Sequence, residues 1–204
     1  LSVLLHKIAN YKPAIRLYLA LLKKNMRVFI FLLLMTISFS SFSQLKTGVK
    51  WMTLSELEVA MTIEKKKVFI DLYTDWCGWC KRMDATTFTD LTVVDYISKN
   101  YYCVKFDAER RDTVTFNNYK FYDVSPTSKR GTNLFAYTLL EGKMSYPSFV
   151  MLDTSYNRIN VISGYKTPEP LLGTLIFFAT DEYQRYSNFI YDQFQKQIQA
   201  TQPK

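Results

Sequence analysis

Apolar and polar positions follow first a helical period and then an extended one between residues 53 and 73. Thr53 and Glu56 form a capping-box pattern, and the helical spacing behind them runs to a charged stretch at residues 64–67. We interpret that stretch as a solvated helix end. Residues 68–73 are mostly apolar and predict a short buried strand. The predicted apolar stripe of the helix is Leu54, Leu57, Val59, Ala60 and Ile63.

The same two periods continue towards the end of the chain. Asp90 stands at a helix-capping position in front of a helical stripe made by Val93, Val94 and Ile97. From Pro168 the apolar residues keep a helical spacing over many turns, with or without a break. The further predicted elements are helices at residues 81–85 and 91–100, a strand at 101–107, a hairpin at 148–163 and an extended C-terminal helix.

Residues 109–143 have the weakest pattern of the chain. Residues 117–123 predict a strand or one arm of a hairpin, residues 125–133 a loop, and residues 134–140 a short helix. We interpret the whole segment as an insertion. It either covers one edge of the domain or supplies contacts to a partner, and the sequence does not choose between the two.

The first 43 residues predict a leader. Residues 28–39 form an apolar run of 12, and Ser41 and Ser43 occupy the small positions of a cleavage site before residue 44. Such a run is short for a membrane span and typical of a signal peptide, here beginning near Met26. Residues 1–25 are then a spurious extension or a basic n-region. We expect an exported, periplasmic domain at residues 44–204, or one anchored by uncleaved residues 28–42.

The net charge of +8 belongs to the leader. Residues 1–43 contain six of the 26 Lys and Arg and no Asp or Glu. The chain from residue 44 onward therefore has 20 basic and 18 acidic residues, a net charge of +2. Nucleic-acid binding needs a basic face on the folded domain, and the sequence offers little support for one. We therefore expect no nucleic-acid partner.

Two cysteines, Cys77 and Cys80, follow the strand of residues 68–73 at what reads as the start of a helix. Helix N-terminal N–H groups favour the thiolate form of Cys77, and Cys80 lies about one turn on, where its sulfur can close a disulfide. Half of a zinc site has the same spacing, but zinc needs four ligands and the chain adds only Cys103 and His6. We expect neither metal nor other cofactor besides a redox-active disulfide.

Three other side chains allow two interpretations each. Asp71 interrupts the apolar strand, where burial should raise its pKa; it is a proton carrier for the cysteine pair or a hydrogen-bonded carboxylate at a strand end. Asp84, one turn beyond Cys80, is a second proton-handling group or an ordinary exposed acid. Cys103, within an apolar strand, fits a small core residue better than a third redox thiol.

The segment DLYTDWCGWCKRMDATTFTD, at residues 71–90, together with Tyr146-Pro147, resembles the thioredoxin superfamily. It looks especially like the thioredoxin-like domain at the carboxyl end of DsbD-type transmembrane reductases and their exported relatives. The similarity covers about residues 51–178, and residues 109–143 fit it poorly. The resemblance implies a thioredoxin fold: an α/β domain with a central mixed sheet flanked by helices, an insertion before a cis-proline strand and an extended C-terminal helix.

The resemblance also implies roles for individual residues. Cys77 matches the attacking cysteine, Cys80 the resolving cysteine, and Pro147 the cis-proline beside the active site. Asp71 matches the buried acid of thioredoxins, and Asp84 an acid near the cysteines of the DsbD-type domain. The implied substrate-binding residues are Trp76, Gly78, Trp79, Tyr146 and Pro147.

The function implied by this resemblance is reduction of protein disulfides in an exported compartment, with electrons supplied by a membrane or thioredoxin-like donor. Trp79 replaces the proline that is usual between the cysteines of thioredoxin. The direction of electron flow therefore stays open, and disulfide oxidase or isomerase activity is an alternative. A thioredoxin-fold binding or chaperone module with a structural disulfide is a second alternative, although so short a loop gains little stability from a disulfide.

Overall fold

The computed structural model describes residues 48–180 and 182–201, which contain both strands and helices. The strands are β1 (Lys67–Tyr73), β2 (Tyr101–Asp107), β3 (Val114–Phe116), β4 (Tyr119–Phe121), β5 (Ser148–Leu152) and β6 (Arg158–Ser163). The helices are α1 (Leu54–Ile63), α2 (Gly78–Ala85), α3 (Leu91–Asn100), α4 (Leu134–Leu139), α5 (Pro168–Ala179) and α6 (Glu182–Thr201), and a 3-10 turn covers Thr87–Thr89. The predicted leader, with its cleavage site, lies outside the described residues.

Four strands form one mixed sheet in the order β2-β1-β5-β6. The central strand β1 runs parallel to β2 and antiparallel to β5, and β6 pairs antiparallel with β5. This register places Asp71 of β1 between Lys105 of β2 and Phe149 of β5. The sheet and its flanking helices confirm the predicted thioredoxin fold.

Each face of the sheet has its own hydrophobic core, because successive side chains of a strand point to opposite faces. Ile70 and Leu72 pack on one side with α1 and the insertion, whereas Phe69 packs on the other with α2, α3 and α5. Phe69 and Phe149 stack at 5.4 Å between ring centroids. Full burial of each such side chain contributes about 1.5–3 kcal/mol to folding.

Helix α1 confirms its predicted start, and of its predicted buried face it confirms Leu54 and Leu57 but not Val59 and Ile63. The Thr53 hydroxyl accepts a hydrogen bond from the Glu56 N–H, and the Glu56 carboxylate accepts one from the Thr53 N–H, which completes the capping box. Val59 and Ile63 are 63% and 83% exposed. At about 100° per residue they lie roughly 200° and 240° round the helix from the buried Leu57. The residues that face the core are Leu54, Leu57 and Met61.

The interpretation of residues 64–67 as a solvated helix end is wrong for Lys67. The Lys67 ammonium donates hydrogen bonds to the carbonyls of Phe178 and Ala179, at 2.8 and 3.0 Å, and lies 5.0 Å from the ring centroid of Tyr183. The last carbonyls of a helix lack partners within it and attract cations. Lys67 is the first residue of β1, and its side chain therefore attaches the start of this strand to the end of α5.

The predicted insertion at residues 109–143 covers one face of the sheet. Asn117 and Asn118 turn the hairpin from β3 to β4 with positive φ angles of 49° and 64°. Phe116 and Phe121 pack against Phe135 of α4, at 5.5 and 5.1 Å between ring centroids, within the same core as α1. These side chains pack into the core on one face of the sheet, whereas the sequence suggests that the segment covers one edge of the domain. A role in partner contacts stays a prediction.

The C-terminal helical region is extended, as predicted, and it is interrupted after Ala179. Helix α5 ends there with Thr180 in an extended conformation, and α6 continues to Thr201. Leu171 and Leu175 anchor α5 in the core on the α2 and α3 side of the sheet. Across the residues that the structure describes, none of the helices has the length and apolar character needed to cross a membrane.

Candidate active site

The cysteine pair lies at the amino end of α2, immediately after the loop that leaves β1. Cys77 caps the helix: its Sγ accepts a hydrogen bond from the Cys80 N–H at 3.1 Å. Cys77 and Cys80 form a disulfide, with 2.04 Å between the sulfurs and 5.3 Å between the Cα atoms. The prediction that the two sulfurs lie within bonding reach is confirmed. A helix start whose N–H group donates to a cysteine sulfur is an environment that favours the thiolate form.

The tryptophans on either side of Cys77 are exposed, Trp76 by 51% and Trp79 by 56%. The Trp76 ring meets Tyr146 edge to face, with 6.1 Å between centroids, and its Nε1–H donates to the Glu109 carboxylate at 3.0 Å. Trp79 packs on Tyr165 at 5.1 Å. The two rings thus present an apolar surface next to the disulfide.

The Tyr146–Pro147 peptide bond is cis, as the resemblance implied. Pro147 precedes β5, whose first residue pairs with Leu72 near the end of β1. It therefore lies at the edge of the sheet from which the chain leads to Cys77. Gly78 has open space where a Cβ atom would be, so no neighbouring side chain covers the backbone there. The structure brings all five residues predicted to bind substrate to this edge of the molecule.

Behind the disulfide, one lysine joins the two predicted acids. The Lys105 ammonium donates to Asp71 Oδ2 at 2.8 Å and to Asp84 Oδ1 at 2.5 Å. It lies over the rings of Trp51 and Tyr73, at 4.9 and 5.0 Å. Burial alone would lower the pKa of Lys105, but the charge of Asp71 and its hydrogen bonds to both acids raise it. Lys105 therefore remains a cation between them.

Asp71 is buried on the face of β1 that α2 covers. Burial raises its pKa from the ordinary 3.8 to about 6, against the opposing charge and hydrogen bond of Lys105. Its Oδ1 atom has no hydrogen-bond partner among the described residues. A carboxylate that titrates near neutrality and has one free oxygen is able to accept and return a proton. Asp84 is partly exposed, and Lys105 bridges it to Asp71.

The remaining cysteine lies in the core. Cys103 of β2 packs with Phe69, Val94 and Ile97, and burial raises the pKa of its thiol well above the ordinary value. Its burial favours the interpretation as a small core residue. Among the described residues, no group of three or more His, Cys, Asp or Glu side chains is arranged to hold a metal ion.

Sequence reasoning missed several residues of this region: Lys105, Glu109, Arg82, Arg130 and Tyr165. For Lys105 a signal was present, since a lysine within the apolar strand of residues 101–107 is as unusual as Asp71 in its own strand. The other four reach the cysteine segment from distant parts of the chain or from an exposed helix face, where the local pattern gives no sign of a tertiary contact.

Comparison with known proteins agrees with this geometry. Residues 37–154 match the family model Thioredox_DsbH, described as a protein of unknown function, DUF255. The chain belongs to the Thioredox_DsbH family. The match covers more than half of the chain and includes the cysteine pair, Lys105, the insertion and the cis-proline strand. The resemblance to the thioredoxin superfamily is confirmed.

Three similar proteins illustrate the relationships of this Thioredox_DsbH member. A Haemophilus ducreyi protein, thiol:disulfide interchange protein DsbD, is 51% identical over 39 residues, which are 19% of this chain and 7% of that protein. The solved structure of a DsbH oxidoreductase is 12% identical and covers 65% of this chain and 84% of its own, with a TM-score of 0.44. A thioredoxin-fold protein from Helicobacter pylori is 15% identical and covers 71% and 84%, with a TM-score of 0.48.

This chain spans a small part of the DsbD sequence, so the activity and partners of that whole protein do not transfer with the match. The fold assignment stands on the strand order and on the family match. The Cys77–Cys80 disulfide at a helix start is the arrangement typical of the thiol–disulfide oxidoreductases of this superfamily.

Proposed function

We propose that the protein is an exported thiol–disulfide oxidoreductase that reduces disulfides of other proteins. The observation that carries the proposal is a disulfide at the amino end of α2, with a buried acid of raised pKa on the covered face of the adjacent strand. A disulfide across two intervening residues stabilises a fold little, whereas the helix start favours a reactive thiolate. The geometry therefore suits a redox-active disulfide better than a purely structural one.

In the proposed reaction the reduced protein donates two electrons. The Cys77 thiolate attacks one sulfur of the partner's disulfide, forming a mixed disulfide and releasing the first partner thiolate. The Cys80 thiol gives its proton to Asp71, and the resulting thiolate attacks Cys77 Sγ. This second step forms the Cys77–Cys80 disulfide and releases the second partner thiolate, which takes up a proton.

Insulin disulfide reduction with dithiothreitol as electron source tests the proposal. We expect Cys77→Ser to abolish the activity and Cys80→Ser to accumulate mixed disulfides visible on non-reducing gels. Asp71→Asn should slow release of the mixed disulfide more than its formation, because the proton acceptor acts in the second step. Undiminished turnover by Cys77→Ser would refute the assignment of the nucleophile.

The reducing direction is the part of the proposal that depends most on Trp79, because the residues between the cysteines influence the reduction potential. Equilibration with glutathione decides it: a potential near that of thioredoxin, about −270 mV, supports a reductase, and one near that of DsbA, about −120 mV, supports an oxidase. A pKa of the Cys77 thiol near 8.5, with slow alkylation at neutral pH, would instead favour a non-catalytic binding module.

Export is proposed on the predicted leader, and the electron donor on the resemblance to DsbD-type domains. N-terminal sequencing of protein recovered outside the cytoplasm should give Gln44 as the first residue. Retention of residues 28–42 in a membrane fraction would favour the anchored form. Capture with Cys80→Ser in the exporting cell would identify the proteins that form mixed disulfides with Cys77.

A further inference from the structure

An arginine guanidinium lies near the ring of each of the two tryptophans beside Cys77, which are Trp76 and Trp79. The Arg130 Cζ lies 4.2 Å from the ring centroid of Trp76, and the Arg82 Cζ lies 5.8 Å from those of Trp79 and Tyr165. One arginine comes from the insertion and the other from α2. A guanidinium stacked on an aromatic ring keeps its fork of N–H donors available for a planar acceptor.

These two arginines differ from the others in the described residues, because their guanidinium groups have no carboxylate or carbonyl partner there. The other four arginines at positions 48–180 and 182–201 all form ion pairs: Arg110 with Asp112, Arg111 with Asp123, Arg158 with Glu141, and Arg185 with Glu182. Arg82 and Arg130 are both exposed. The arginines left with open hydrogen-bonding capacity are thus the two that flank the disulfide.

The loop that carries Arg130 is fixed in place. Arg111 donates hydrogen bonds to the carbonyls of Pro126, Ser128 and Lys129, which hold residues 126–129 as a compact turn. The Gly131 backbone then packs so closely on the Glu109 carbonyl that a Cβ atom would lie 2.2 Å from that oxygen. The backbone on both sides of Arg130 is therefore held in place before any partner binds, which lowers the backbone entropy lost on binding.

Glu109, the acid that contacts Trp76, is not an ion-pair partner of Arg130 among the described residues. The Glu109 carboxylate bonds the Nε1–H edge of Trp76, whereas Arg130 lies over the face of the ring, and the two residues form no ion pair in the described part of the chain. The exposed guanidinium is therefore accessible to an acceptor supplied by another molecule. A carboxylate is the acceptor in proteins that matches this fork with two parallel hydrogen bonds.

We propose that Arg82 and Arg130 are carboxylate receptors on the two sides of the disulfide, and that the partner protein carries Asp or Glu residues on both sides of its reactive cysteine. The inference rests on the proposed function, because the disulfide between the arginines must react with a disulfide of the partner. It gives the partner a chemical signature: an acidic segment around the bond to be reduced.

Three synthetic peptides test the inference. They share one intramolecular disulfide and differ only at the positions flanking one of its cysteines, which are Glu, Gln or Lys. We expect the reduced wild-type protein to show a kcat/KM for the Glu peptide about tenfold above that for the Gln peptide, falling with added salt because both arginines are exposed. Replacing both receptors, in an Arg82→Gln, Arg130→Gln variant, should remove this preference. Arg185→Gln, on α6, should keep it.

Two further measurements separate the inference from loss of folding and from the proposed function. The rate with bis(2-hydroxyethyl) disulfide, which is small and neutral, should be the same in wild type and double variant. A charge-reversed Arg82→Glu, Arg130→Glu variant should prefer the Lys peptide, a gain that misfolding cannot produce. Equal rates for the three peptides with wild-type protein would overturn the inference and leave the proposed function standing. No reduction of any disulfide would overturn both.

Discussion

Replacing Asp71 by asparagine should stabilise the oxidised protein at neutral pH. The wild-type carboxyl group has a pKa of about 6 in the folded chain against an ordinary 3.8, and burial is the main cause. The neutral acid is therefore the form that the fold favours. Its stabilising contribution is complete below pH 3.8 and is lost as the pH rises through 6, because the unfolded chain ionises first. Asparagine has the same shape as the neutral acid and does not ionise.

The magnitude follows from the same pKa difference. At about 1.4 kcal/mol per pKa unit, an ionised Asp71 costs roughly 3 kcal/mol above pH 7. The attraction of Lys105 is already included, since it opposes the effect of burial. The gain in unfolding free energy from Asp71→Asn should thus grow from about 1 kcal/mol at pH 4.5 to about 3 kcal/mol at pH 8. In a domain of this size, the larger value corresponds to a Tm increase of roughly 6–12 °C.

Urea unfolding of the oxidised wild type and variant, followed by far-UV circular dichroism at several pH values between 4.5 and 8, measures this difference. The control is Asp95→Asn, which removes an exposed carboxylate paired with Lys99 on α3. It should change the unfolding free energy by at most about 1 kcal/mol, because exposed ion pairs contribute little. The reasoning fails if the gain from Asp71→Asn does not grow with pH, or if the variant is less stable at pH 8.

Three further predictions concern the core and the insertion. Leu57→Ala removes a fully buried side chain and should lower the unfolding free energy by about 2–5 kcal/mol, whereas exposed Ile63→Ala should change it by about 0.5 kcal/mol or less. Gly131→Ala should cost about 1–3 kcal/mol and alter the fluorescence of Trp76, since the added Cβ meets the insertion's backbone. Iodoacetamide should modify Cys77 of the reduced native protein and leave buried Cys103 unmodified until urea is added, as read by mass spectrometry.

Contrary results for these three have clear meanings. Equal losses for Leu57→Ala and Ile63→Ala would place the buried face of α1 elsewhere. An unchanged stability of Gly131→Ala would mean that the loop is free to move away from Glu109. Rapid alkylation of Cys103 under native conditions would show that β2 opens locally and that the thiol is accessible.

The parts of the fold and site that could be predicted from the sequence are those encoded by neighbours in the chain. The capping box at Thr53, the cap at Asp90 and the order of strand, cysteine pair and helix depend on contacts within a few residues. The raised pKa of Asp71 was also predictable, because a carboxylate in an apolar strand is buried whatever the tertiary partners are.

The parts that could not be predicted depend on contacts between distant segments. The bond from Lys105 to Asp71 joins residues 34 positions apart, and its existence depends on the parallel register of β1 and β2. The side of α1 that becomes buried is decided by what packs there. Val59 and Ile63 are apolar but face water, while Met61 occupies the core position. The stack of Arg130 on Trp76 likewise needs the folded insertion.

The contact of Lys67 with the end of α5 has a practical consequence for capture experiments. Strand β1 starts at this contact and leads to the cysteine loop at its other end, so its seven residues separate the two by roughly 20 Å. A linker to a solid support, attached at Thr180 where α5 ends, would hold the molecule by the side opposite its reactive sulfurs. Large client proteins could then approach the immobilised domain without steric hindrance from the resin.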